Sequence, residues 1–78
     1  MVWKIADKIS HIKWLDHASW IAIGFKDGQL AIESAEKEKT IYKGKVSEGK
    51  ILGIDYLPSE KLLLLRDNIW NIAVYKVI

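Results

Sequence analysis

No apolar run in this chain is longer than a single β-strand, and each run stops at a turn signal. The runs cover residues 20–25, 30–32, 40–46, 51–57, 61–65 and 69–78. Ile, Val, Trp and Tyr dominate them, and such side chains fit a pleated sheet. Lys26-Asp27-Gly28-Gln29 separates the first two runs. An Asp-Gly pair placed this way predicts a two-residue hairpin turn with positive φ at both positions. Residues 35–39 and 47–50, Leu57-Pro58-Ser59-Glu60 and Arg66-Asp67-Asn68 supply the other breaks. Residues 31–39 are good helix formers, but their apolar spacing does not hold a 3.6-residue period. Turns at intervals of about 8 to 12 residues predict an all-β fold of seven or eight strands.

The chain also matches itself. At an offset of 42 residues, with no gap, Ile9 falls on Ile51, Ile12 on Ile54, Leu15 on Leu57 and Ala31 on Ala73. Trp14 falls on Tyr56, residues 20–23 on 62–65, and Leu30 and Ile32 on Ile72 and Val74. Apolar positions meet apolar positions through three successive strands. The expected units are residues 8–46 and 50–78 of a single domain, 1–78. The first has four strands and the second three, so the spare segment 2–5 is expected to complete the second unit and cover the open edge of residues 71–76.

Each unit resembles a WD-repeat. Residues 9–34 run as an apolar-x-x-apolar-x-aromatic strand, a turn, an apolar strand, Asp27-Gly28 and an alternating strand. Residues 51–76 are similar, with Pro58 in the first turn. The repeat's Gly-His pair is absent. Its terminal Trp-Asp is Glu33-Ser34 in one unit and Tyr75-Lys76 in the other, and only the first unit keeps Asp-Gly. The resemblance implies two propeller-like four-stranded antiparallel blades and no catalysis. A small eight-stranded β-sandwich or barrel is the alternative.

Two blades do not close a propeller, which has about four to eight. A chain of 78 residues has a marginal core. Small folds of this size use disulfides, a metal or a partner subunit. The chain has no cysteine and only two histidines, His11 and His17, which is too few for a four-ligand zinc site. Self-association remains, with a dimer or trimer expected. The net charge of +2, from 12 basic and 10 acidic residues, argues against nucleic acid. A small basic β-barrel that stacks bases on tryptophans is the runner-up reading. No apolar run reaches the ~18 residues of a membrane span, and residues 1–9 do not read as a signal peptide. A soluble cytoplasmic protein is expected.

His11, Asp16, His17 and Asp27 are the one mixture with catalytic potential, and nothing in their spacing implies convergence. The expectation is therefore a non-enzymatic protein-interaction module without cofactor or metal, which binds itself and a further protein through loops. Four tryptophans are present. Trp14 and Trp20 are expected to pack within the blades. Trp3 and Trp70 fall at a margin, where interface aromatics concentrate. The expected interface comprises Val2, Trp3, Ile5, Trp70, Ile72, Val74 and Tyr75.

Overall fold

A computed structural model describes residues 8–15 and 19–77. Seven strands follow one another: β1 Ile9–Trp14, β2 Trp20–Phe25, β3 Gln29–Ser34, β4 Lys39–Lys45, β5 Ile51–Leu57, β6 Leu62–Asp67 and β7 Ile72–Lys76. They form two separate sheets, β1-β2-β3-β4 and β5-β6-β7. Each strand pairs antiparallel with its sequence neighbour. The fold is all-β, two open meanders rather than a closed barrel. The segment 2–5, expected as the eighth strand, lies outside the described residues.

The turns explain why the strands end where they do. Gly28 N donates to Phe25 O at 3.1 Å, and Gly28 has φ 88° while neither Lys26 nor Asp27 has positive φ. The loop is thus three residues, a β-turn closed by a left-handed glycine, and not the expected two-residue turn. The third residue lets the strands keep their twist with strain-free backbone at Asp27. The Asp27 carboxylate accepts hydrogen bonds from Gln29 N at 3.1 Å and Gln29 Nε2 at 2.9 Å. In the β3–β4 loop, Ser34 Oγ accepts from Lys37 N at 3.1 Å, a side-chain turn that stops the helix-forming residues from propagating.

The 42-residue offset seen in the sequence reappears in the backbone. Trp20–Phe25 and Leu62–Asp67 start and end in step. The β1–β2 register shifts between Ile9 and His11, and the β5–β6 register between Ile51 and Gly53. Left-handed residues recur at Ser19 (φ 57°) and Lys61 (φ 55°), and at Gly28 (φ 88°) and Trp70 (φ 70°). Lys26 N donates to Lys8 O at 3.0 Å, and Asn68 N donates to Lys50 O at 3.0 Å.

One apolar core lies between the sheets. Leu15, Ala22, Leu30 and Ile32 of the first meet Ile51, Ile54, Leu63 and Leu65 of the second. Strand β5 lies nearest to β1 and β2. Gly24 permits this approach, because a Cβ there would stand 2.7 Å from Ile51 Cγ2. A smaller cluster, Ile21, Ile23, Phe25 and Ala31, is buried on the other face of the first sheet. Strand β3 is therefore buried on both faces, from Leu30 to Ile32.

Candidate interaction surface

The segment that joins the sheets, residues 46–50, binds the two equivalent turns together. Val46 N and Ser47 N both donate to Gly28 O, at 2.9 and 3.1 Å. Ser47 Oγ donates to Asp67 Oδ2 at 2.5 Å and accepts from Gly49 N at 2.9 Å. Asp67 Oδ1 accepts from Ile69 N at 3.0 Å and Asn71 N at 2.9 Å. The carboxyl of Asp67 is held below the usual carboxylate range, first by the Ser47 hydroxyl and then by these backbone amides.

On the second sheet, Leu57 pairs with Leu62, Leu64 with Val74, and Arg66 with Ile72. These side chains share the face turned away from the first sheet. Leu57 is 52% exposed, Ile72 67% and Val74 54%. Trp70, at the tip of the β6–β7 turn, is 97% exposed. With Leu52, Arg66 and Ile72 it borders a shallow depression of about 260 Å³. The structure thus brings together three of the expected interface residues, Trp70, Ile72 and Val74. Tyr75 stands apart. It lies on the opposite face, where it lines a cleft of about 370 Å³ between the sheets with Trp20, Ile32, Tyr42 and Val77. Val2, Trp3 and Ile5 lie outside the described residues.

The first sheet has its own open strip. Ile12 is 58% exposed and Trp14 61%. The expectation that Trp14 packs inside a blade is corrected by this exposure. Its counterpart Tyr56 packs against the central cluster because the first sheet lies in front of it. No described sheet lies in front of Trp14. Trp20 is half-buried against the central cluster, as expected. The offset that pairs Trp14 with Tyr56 marked this face in the sequence, but only the order of the sheets shows which member of the pair is covered.

Of the catalytic mixture, His11 is exposed on β1 and the Asp27 carboxylate is engaged by Gln29. Asp16 and His17 lie outside the described residues. Among the described residues no group of three or more His, Cys, Asp or Glu could hold a metal ion. No helix among them is long and apolar enough to cross a membrane. No family model, curated protein or solved structure matches the chain.

Proposed function

We propose that this chain is a non-enzymatic interaction module, built of two propeller-like blades, that self-associates and binds protein partners through its loops in the cytoplasm. One observation carries the reading: large apolar side chains stand exposed on the outer faces of both sheets. Contiguous exposed apolar surface marks protein contact sites. Trp70 adds a second support. An indole exposed on a left-handed turn residue is poorly suited to an isolated monomer, and backbone strain of this kind persists at functional positions. Tryptophan is also enriched among the residues that dominate binding energy.

The test is the mass in solution by light scattering at micromolar concentration. A dimer or trimer of the 9.0 kDa chain is expected. A mass of one chain at every concentration up to the solubility limit overturns self-association.

A further inference from the structure

The geometry points to a head-to-tail contact between copies of this chain, in which the β1 face of one copy (Ile9, Ile12 and Trp14) docks on the outer face of the second sheet of the next (Leu57, Leu64, Ile72 and Val74). The inference rests on the self-association proposed above and assigns its surfaces.

The template is the contact inside the chain. There Ile51, Ile54 and Tyr56 of β5 pack towards the face formed by Leu15, Trp20, Ala22, Leu30 and Ile32. Subtract 42 from the first group and it becomes Ile9, Ile12 and Trp14. Add 42 to the second and it becomes Leu57, Leu62, Leu64, Ile72 and Val74. Both shifted sets are apolar, and both stand at the outer faces of the molecule, with Ile9, Ile12, Trp14, Leu57, Ile72 and Val74 all exposed. The strand registers agree as well. Ile12 opposes Ile23 as Ile54 opposes Leu65, and Ala22 opposes Ile32 as Leu64 opposes Val74. The counterparts of Leu63 and Leu65, Ile21 and Ile23, are buried on the first sheet, so there the half-contact is open along β1 alone, and on the second sheet it is open over Leu57, Ile72 and Val74. A second copy supplies the missing half on both sides.

Such a contact is heterologous. Repetition closes a ring if the rotation between sheets permits, and otherwise extends a filament. One position departs from the template. Gly24, which admits Ile51, corresponds to Arg66. The Arg66 guanidinium lies along β5, with Nη2 3.2 Å from where a Gly53 Cβ would be. The copies therefore meet over Leu57, Leu64, Ile72 and Val74, with Arg66 at the rim and a wider spacing beside it.

Two variants decide the matter, because each blocks one half only. Trp14→Glu spoils the β1 face and Val74→Glu the outer face of the second sheet. Light scattering is run on the wild type, on each variant and on their equimolar mixture, with circular dichroism to show that strands are retained. The expected result is an oligomeric wild type, two variants each with the mass of one chain, and a mixture that forms a one-to-one complex of twice that mass. In that complex the sound face of one variant meets the sound face of the other. If either variant keeps the wild-type mass, or the mixture stays at one chain while the wild type assembles, the contact uses other surfaces. Self-association then stands and this assignment falls. A monomeric wild type overturns both. Should a glutamate variant lose its strand signal, Ile12→Ser and Ile72→Ser replace the pair and are read by the same outcomes.

Discussion

Gly28 and Trp70 hold corresponding places in their turns, 42 residues apart, with φ of 88° and 70°. Glycine adopts that region freely, whereas a residue with a Cβ is strained there by about 1 kcal/mol. At Gly28 a second restriction applies, since a Cβ would overlap the carbonyl oxygen of Ser47. Gly28→Ala is therefore expected to lower stability by about 2 kcal/mol or more. Trp70→Gly is expected to act in the opposite sense and raise the stability of dilute protein by about 0.5 to 1 kcal/mol, through relief of the same strain. Urea unfolding of both variants checks the pair, and a destabilised Trp70→Gly shows that the indole packs more than its exposure indicates. Asp67 makes a pH prediction. Its folded pKa lies below the ordinary value of 3.8, so its contribution to stability is present above that value and lost as pH falls through the folded pKa. Asp67→Asn should flatten the loss of stability below about pH 4. Thermal melts between neutral and acid pH measure this, and an unchanged acid limb shows that other carboxylates set it.

At the scale of elements, the decisive approach is that of β5 to β1 and β2. Alternation alone does not specify how closely two sheets pack. Gly24 on β2 does, because a Cβ at this position would be 2.7 Å from Ile51 Cγ2 and 3.2 Å from Ile54 Cδ1. A side chain there forces the sheets apart or the isoleucines off their rotamers, at about 1 to 3 kcal/mol for overpacking. Gly24→Val should lower the melting temperature while leaving each meander's hydrogen-bonded strands intact. Near-ultraviolet dichroism should weaken as Tyr56 loses its packing, with little change in the far-ultraviolet strand signal. A full wild-type melting temperature would place the contact between the sheets elsewhere.

The molecule as a whole is a slab of 34 × 32 × 15 Å. So thin a body has little interior, and the core between the sheets is small. A chain of this size buries only about 60% of the surface it exposes when unfolded. Ile12, Trp14, Ile72 and Val74 are among the large apolar side chains left exposed. If copies cover it for one another, folding is coupled to association, and the melting temperature should rise over an about tenfold increase in protein concentration. A melting temperature independent of concentration shows that the single chain carries all of its stability.

The all-β class, the turn positions and the 42-residue correspondence were legible in the sequence, because they depend on local backbone preference and on the two-residue period of a strand. Trp70, Ile72 and Val74 were placed in an interface from their position at the margin of the second unit; their exposure itself is a property of the packed sheets. The role of Trp14 was not. Its neighbours in sequence match those of Tyr56, and only the packing of one sheet before the other leaves the first ring exposed and covers the second. The true length of the Asp27-Gly28 loop and the separation of Tyr75 from the open face were likewise decided in three dimensions. Loop length follows from the register of paired strands, and the side of a sheet that meets solvent follows from what lies across from it. Neither property belongs to any one segment of the chain, so the tertiary structure alone decided them.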